Sequence, residues 1–203
     1  MTTALIACGA LAREVLAINQ KHGWGAEVLG VPALLHMQPG RIPAAVREQI
    51  AAARARHDRV VVVYGDCGTG GLLDKILAAE GVDRIAGPHC FEMYADGQFE
   101  SLLADQPGTF FLTDYLVRSF DHLVIEELGL DRFPELRQDY FGNYTRAVYL
   151  AQTESAELRA RAQWAADLLQ LPLEVRQTGY GALETRLVEL MSTTEIAEDT
   201  EIN

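Results

Sequence analysis

The hydrophobic residues of this chain form short apolar runs separated by longer segments with helical spacing. Such runs are typical of buried strands and occupy residues 3–7, 26–30, 59–64, 84–86, 109–112, 147–151 and 173–177. Apolar positions at helical spacing predict helices over residues 11–21, 43–57, 71–80, 116–128 and 156–169. The alternation predicts an α/β fold with a mostly parallel, doubly wound sheet.

The order of these elements predicts two Rossmann-like halves that face each other across a cleft. The first half takes in residues 1–107 and the second residues 108–188, where a new strand begins after Gly108. Residues 189–203 are rich in Glu and Asp and poor in apolar groups, which predicts a flexible acidic tail.

Composition and charge narrow the classes of partner. The chain has 49% hydrophobic residues and 23% charged residues, as ordinary globular proteins do. Its net charge of -12 argues against nucleic acid and anionic membrane surfaces, which attract clustered Lys and Arg. The first residues lack the charged and apolar regions of a signal peptide, and no apolar run reaches the ~18 residues of a membrane span. We therefore predict a cytoplasmic protein that acts on a small-molecule substrate.

All three cysteines follow predicted strands, beside glycine or polar turns. They are Cys8, Cys67 and Cys90, and His89 adjoins the last of them. Because parallel strands end at a common edge of their sheet, we expect the cysteines to meet there in one thiol-rich site. The alternative interpretation is that each cysteine is a small buried hydrophobe.

The loop between the third strand and its helix combines glycines with a carboxylate, a thiol and a hydroxyl. Backbone N–H groups at such a helix start can bind an anion or stabilise a thiolate. The loop lacks the Lys of a phosphate-binding P-loop and the spacing of a dinucleotide fingerprint, so neither ATP nor NAD is predicted. The candidate cofactor-binding residues are Gly65, Gly68, Gly70 and Gly71, together with Thr113 of the second half, for which helix capping is the alternative.

The thiols leave three kinds of chemistry open. Cys8, Cys67 and Cys90 with His89 supply three sulfurs and one nitrogen, which suits tetrahedral zinc. Three thiolates alone suit a [4Fe-4S] cluster with one open iron. Without a metal, Cys67 could act as a nucleophile that the helix start and His89 activate.

Acid or base roles are predicted for carboxylates close to the proposed sulfur ligands. Asp66 precedes Cys67, Glu92 follows Cys90, and Glu14 lies about one helical turn after Cys8. A solvated carboxylate is the alternative for Glu14. The other histidines, His36 among them, show no paired spacing and are predicted to be structural or exposed, and an aromatic-glycine loop at residues 177–181 is a candidate pocket wall.

Three motifs resemble the DUF1638 family of bacterial and archaeal proteins. They are Ala7-Cys8-Gly9, the run from Tyr64 to Gly68, and His89-Cys90, and the resemblance extends over residues 4–180. It implies an association with corrinoid-dependent one-carbon metabolism, with a corrinoid or methyltransferase protein as partner. We therefore expect a metal-dependent transferase or lyase, in methyl or one-carbon transfer. The alternative is a metal-binding accessory protein or metallochaperone for a corrinoid or metalloenzyme system.

Overall fold

Two three-stranded sheets, both entirely parallel and flanked by helices, form the framework of the protein, which confirms the predicted α/β fold and its Rossmann-like arrangement. A computed structural model describes residues 1–192. The described chain divides into two compact units: residues 1–90 with residues 182–192, and residues 91–181. The domain boundaries at residues 107 and 188 stay predictions, and residues 193–203 of the predicted acidic tail lie outside the described residues.

The first unit is built on the sheet order β2-β1-β3. Its strands are β1 (Thr3–Cys8), β2 (Glu27–Val31) and β3 (Arg59–Val63). Its helices are α1 (Ala12–His22), α2 (Ile42–Arg54) and α3 (Leu72–Glu80), with 3-10 turns at Ala33–Met37 and Pro39–Arg41. The predicted strand at residues 84–86 is reduced to a single parallel bridge between Arg84 and Val62. β3 therefore lies between β1 and this bridge, and its last three valines are buried.

The second unit carries the sheet order β4-β5-β6. Its strands are β4 (Thr109–Thr113), β5 (Arg146–Ala151) and β6 (Leu173–Gln177). Its helices are α4 (Cys90–Ala95, with Cys90 itself in the first unit), α5 (Phe99–Asp105), α6 (Asp114–Arg118), a π-helix at Asp121–Glu126, α7 (Leu136–Phe141) and α8 (Ala156–Leu169). Leu112, Phe120, Tyr149 and Ala165 belong to one buried core that joins this sheet to its helices.

A buried carboxylate ties β4 to β5. Asp114 is fully buried and accepts hydrogen bonds from the Tyr149 hydroxyl at 2.6 Å, the Gln152 N–H at 3.0 Å, and the N–H and hydroxyl of Thr153 at 3.1 and 2.6 Å. Arg118 supplies the opposite charge at 3.4 Å. A buried charge is tolerated where it is paired and hydrogen-bonded, so this residue has a structural role.

Helix α9 (Ala182–Ser192) returns to the first unit after the second. Glu184 pairs with Lys21 at 2.8 Å and His22 at 2.7 Å, both at the end of α1. Arg59, at the start of β3, donates to the carbonyls of Leu190 at 2.6 Å and Met191 at 3.0 Å. These contacts fix both ends of α9 on the first unit. Across residues 1–192, none of the helices combines the length and the apolar character needed to span a membrane.

Candidate functional site

The first sheet places Cys8 and Tyr64 side by side at its carboxyl edge. Cys8 ends β1 and is in register with Val31, the last residue of β2, while Ala7 is in register with Val63. Tyr64 follows Val63 directly and is completely buried. Its hydroxyl lies within electrostatic range of the Cys8 thiol and, within residues 1–192, has no hydrogen bond of regular geometry. The predicted meeting of strand ends therefore occurs here, around a residue to which the sequence assigned no role.

All three thiols lie within electrostatic range of the Tyr64 hydroxyl. Burial raises the pKa of Tyr64 far above its ordinary range, and Cys8, Cys67 and Cys90 each raise it further. Cys67 also interacts with Cys8 directly, and all three cysteines are free thiols. The structure thus brings the three predicted cysteines together in the first unit.

The two inner thiols favour their protonated form. Cys8 is 2% exposed, and burial raises its pKa against the opposing effect of the Ala10 and Leu11 backbone and of Tyr64. Burial, followed by the neighbouring Cys8, raises the pKa of Cys67 to about 12. A nucleophilic cysteine needs a lowered pKa. The loop by itself therefore does not provide the activated Cys67 thiolate that one of our hypotheses requires.

Asp66 organises the loop that carries Cys67. Its carboxylate accepts hydrogen bonds from the Thr69 hydroxyl at 2.5 Å and from the N–H groups of Gly71 at 2.9 Å and Gly70 at 3.2 Å. The Thr69 bond is the main reason that the pKa of Asp66 is lowered. Three of its neighbours take left-handed backbone angles that favour glycine, namely Gly68 (φ 83°), Gly70 (φ 62°) and Gly71 (φ 79°). Asp66 and these glycines thus have a structural task in shaping the loop, and their acid, base or cofactor roles stay predictions.

Gly65 allows the segment with His89 and Cys90 to approach the Cys67 loop. A Cβ atom at Gly65 would lie 2.8 Å from the His89 Cα and 2.8 Å from the Pro88 carbonyl oxygen. The Cys67 N–H donates to that same carbonyl at 2.8 Å. Only a residue without a side chain leaves room for this backbone contact, which accounts for glycine at position 65. The same contact brings Cys90, half-buried at the start of α4, near the other thiols.

Arg84 joins the two loops through its side chain, and no sequence pattern pointed to this residue. Its guanidinium donates to the carbonyls of Ile85 at 2.8 Å, Gly87 at 3.1 Å and Tyr64 at 3.5 Å. Asp74 of α3 pairs with its Nε at 2.5 Å. The positive charge also acts on Cys67, whose pKa it lowers slightly against the effect of burial.

His36 is a second residue whose place at the site is unexpected. Its ring stacks on the Tyr64 ring, with centroids 5.7 Å apart and planes at 14°. Its Nδ1 donates to the Ala33 carbonyl at 2.7 Å, so in the neutral ring Nε2 carries the lone pair. Metal-binding histidines are commonly oriented in this way. The ring reaches Tyr64 through a 3-10 turn after β2, which the hydrophobic spacing does not reveal.

The remaining predicted residues lie in different settings. Glu14, in the first turn of α1, is only 4% exposed, so the alternative of a solvated carboxylate is wrong. His89 is half-buried beside Cys90 in the first unit, whereas Glu92 lies in the first turn of α4, in the second unit. Thr113, also in the second unit, caps α6 by accepting the Leu116 N–H at 3.3 Å, as the capping alternative predicts.

The thiols are neighbours, but they are not collected into a finished metal site. Within residues 1–192, no group of three or more His, Cys, Asp or Glu side chains stands close enough together to hold a metal ion. Sulfur donors suit a soft metal, but in the described residues they do not have the arrangement of a bound site.

Comparison with known proteins gives one match. The family model described as "Protein of unknown function (DUF1638)" matches residues 31–187, which is most of the chain and confirms the resemblance found in the motifs. The matched region includes Tyr64, Cys67, His89 and Cys90, while Cys8 precedes it. Neither the curated proteins nor the solved structures contain a match.

Proposed function

The chain belongs to the DUF1638 family, and we propose that it is a metal-dependent enzyme in which Cys8, Cys67 and Cys90 bind zinc or an open-site [4Fe-4S] cluster. One observation carries the proposal: all three thiols lie within electrostatic range of the buried Tyr64 hydroxyl, beside the carboxyl edge of a parallel sheet. Ligand sites of open α/β sheets lie at that edge.

The protonation of the thiols supports a metal rather than a lone nucleophile. Burial raises the pKa of Cys8 and Cys67, so near neutral pH both are thiols in the absence of a metal. Metal binding displaces the proton of a coordinating thiol, and soft sulfur ligands select zinc and iron-sulfur centres. Since the described residues hold no closed metal group, metal uptake would draw in the loops that carry Cys67 and Cys90.

Two histidines are candidates for the remaining position or for proton transfer. His89 adjoins Cys90, and His36 stacks on Tyr64 with its Nδ1 fixed by Ala33. When bound, zinc would lower the pKa of a substrate thiol, whereas an open iron would act as a Lewis acid. The role of Glu14 in this proposal is that of a proton acceptor, since its carboxylate is buried in the first turn of α1.

Methyl transfer is the reaction that we propose for the zinc form. The substrate thiol gives its proton to a base of the site, and its sulfur forms a bond to a methyl group. That methyl group comes from a methylated corrinoid on a partner protein, and the electron pair of the broken bond stays with the corrinoid. The corrinoid partner enters here as part of the proposal.

A metal-binding accessory protein is the second candidate. It is favoured by the Asp66 carboxylate, which accepts three hydrogen bonds within its own loop and is therefore occupied by a structural task. A carrier or metallochaperone needs thiols that capture a metal and a loop that releases it, and it needs no proton-transfer group. The same three cysteines serve both candidates.

Metal analysis of anaerobically purified protein tests the proposal. We expect about one zinc ion, or one cluster with broad absorption near ~400 nm, per chain. The metal should be lost in Cys8→Ser, Cys67→Ser and Cys90→Ser, while His122→Gln, which removes an exposed histidine of the second unit, should retain it. Circular dichroism checks that each variant is folded.

Two results would overturn the metal site. The first is protein that stays metal-free in every preparation and binds neither zinc nor iron on titration. The second is full metal content in all three serine variants. A chelator challenge then separates the two candidates, because a resident catalytic metal stays with the protein during gel filtration in chelator and a carried metal does not.

A further inference from the structure

The second unit contains a pocket that the thiol site does not use. It has a volume of about 270 Å³, and the residues lining it include Asp96, Gln98, Leu150, Arg176, Gln177 and Thr178. All of these residues belong to the unit formed by residues 91–181. Most of them are polar, and two carry opposite charges.

The pocket lies where an α/β sheet is expected to bind a ligand. Leu150 and Arg176 are paired at the ends of β5 and β6, one residue before each strand finishes. Gln177 is the last residue of β6, and Thr178 follows it. The carboxyl ends of parallel strands are the usual place for a ligand in this architecture, and the second sheet has such an edge of its own.

The pocket wall is fixed by a close backbone contact. A Cβ atom at Gly181 would lie 2.5 Å from the Tyr94 carbonyl oxygen and 2.6 Å from that of Met93, so the loop after β6 packs directly on the end of α4. The Thr178 N–H also donates to the Ala151 carbonyl at 3.0 Å. The loop at residues 177–181 is a candidate pocket wall in the sequence, and two of its residues, Gln177 and Thr178, line this pocket.

Arg176 is held in place with its charge at the pocket. Its Nε pairs with Glu174 at 2.6 Å, and its Nη1 donates to the Gln98 side chain at 3.0 Å. An arginine positioned by its neighbours loses little freedom when it binds a carboxylate through its guanidinium. Arg176 can therefore bind the negatively charged group of a ligand by donating hydrogen bonds to it.

Asp96 provides the opposite charge in the pocket, and its backbone is strained. Its φ of 48° is uncommon for a residue other than glycine, and such strain costs about 1–3 kcal/mol and clusters at ligand sites. Among the described ion pairs, none joins Asp96 to Arg176, although both line the pocket. Asp96 and Arg176 therefore do not neutralise each other, and a ligand that carries both signs would share the Arg176 guanidinium with Glu174.

The neutral groups of the pocket favour a hydrogen-bond donor at one end of that ligand. The Gln177 amide nitrogen donates to the Ala151 carbonyl at 3.1 Å, and the Thr178 hydroxyl donates to the Gly179 carbonyl at 3.1 Å. Because their hydrogens are used in these bonds, these two lining residues offer oxygens as acceptors, and Asp96 adds a carboxylate. Acceptors of this kind recognise an ammonium group.

We infer that this pocket binds a small zwitterion of the amino-acid class. Its carboxylate would pair with Arg176 through charge-assisted hydrogen bonds, and its ammonium group would meet Asp96 with the oxygens of Gln177 and Thr178. The volume of about 270 Å³ limits the ligand to a small molecule. This inference does not depend on the metal site proposed above.

Calorimetric titration with each of the twenty protein amino acids tests the inference. We expect at least one to bind with a Kd below about 1 mM. For that amino acid, the analogue without the ammonium group and the analogue without the carboxylate should each bind at least about tenfold more weakly. Absence of any binding, or equal binding of the acid that lacks the ammonium group, would overturn the inference.

Charge-removing variants locate the binding. Arg176→Gln and Asp96→Asn should each weaken it at least about tenfold; Asn tolerates the left-handed backbone of Asp96. Arg176→Lys, which keeps the charge and loses the planar fork, should weaken it less. Arg159→Gln and Glu157→Gln, which change exposed charges on α8 of the same unit, should leave it unchanged. Unchanged affinity in Arg176→Gln would refute the assignment, and unchanged affinity in Cys67→Ser would show that pocket and thiol site are independent.

Discussion

Gly65→Ala tests the close packing that brings the thiol loops together. The added Cβ would meet three backbone atoms, at 2.8 Å (His89 Cα), 2.8 Å (Pro88 O) and 2.9 Å (His89 N). Backbone atoms cannot rotate away as a side-chain tip can, so the segment with His89 must shift. Overpacking of this kind costs about 1–3 kcal/mol. Replacing glycine also restricts the unfolded chain, which returns about 0.4–1 kcal/mol.

The expected net result is a loss of about 1–2 kcal/mol in the free energy of unfolding. Gly30→Ala is the matched control, because Gly30 is exposed on β2, its backbone φ is not positive and its Cβ would meet nothing within 4 Å. That variant should be as stable as the wild type or more stable, by up to about 1 kcal/mol. The two alanine variants should therefore differ by about 2 kcal/mol.

Urea unfolding followed by circular dichroism measures this difference. With a slope of about 2–3 kcal/mol per molar urea for a chain of this size, the midpoints should differ by somewhat less than about 1 M. Equal midpoints for Gly65→Ala and Gly30→Ala would show that the 88–89 backbone does not press on Gly65. If the metal site exists, Gly65→Ala should also bind zinc more weakly, since the same shift displaces Cys90.

Two further predictions concern buried and paired carboxylates. Asp114→Asn replaces one carboxylate oxygen by an amide group, which is a donor, opposite four donors of Tyr149, Gln152 and Thr153. We expect urea unfolding to show a loss of about 2–4 kcal/mol in the free energy of unfolding. A loss below about 1 kcal/mol would contradict the buried network. Lys21 and His22 lower the pKa of Glu184, so its stabilising effect is present above its unfolded pKa of about 4.3 and disappears as the pH falls through the folded value. Glu184→Gln should thus cost about 0.5 kcal/mol at pH 7 and nothing near pH 3; a difference that persists at the acidic pH would assign the effect to something other than this ion pair.

The regular elements were the easiest part of this structure to predict. The helix predicted over residues 156–169 coincides with α8, because Ser155 caps its start and Gln170 and Pro172 follow its end. The strand β3 was predicted to within one residue, because a continuous run of valines is typical of a central buried strand. In the structure this strand pairs with β1, and its last three valines are buried. Short α4, α5 and α7 were missed, since helices of six or seven residues contain too few turns to show a period.

The candidate site was predictable only as far as strand ends determine it. The three cysteines could be expected near one another because a parallel sheet aligns its carboxyl ends. Tyr64 and His36 could not, since their meeting depends on a 3-10 turn after β2 and on ring stacking. Gly65 was predicted to bind a cofactor, whereas its contact with the 88–89 backbone is visible only in three dimensions.

The return of α9 to the first unit determines the order in which the chain can fold during synthesis. Residues 91–181 are continuous and can fold as soon as they leave the ribosome, since units of this kind fold as they emerge. The first unit, although its sheet is made earliest, can form the contacts of Arg59, Lys21 and His22 with α9 only once residues 182–192 have been translated. The thiol-bearing sheet therefore waits for a helix encoded about ninety codons downstream of Cys90, and truncation before α9 would impair the first unit rather than the second.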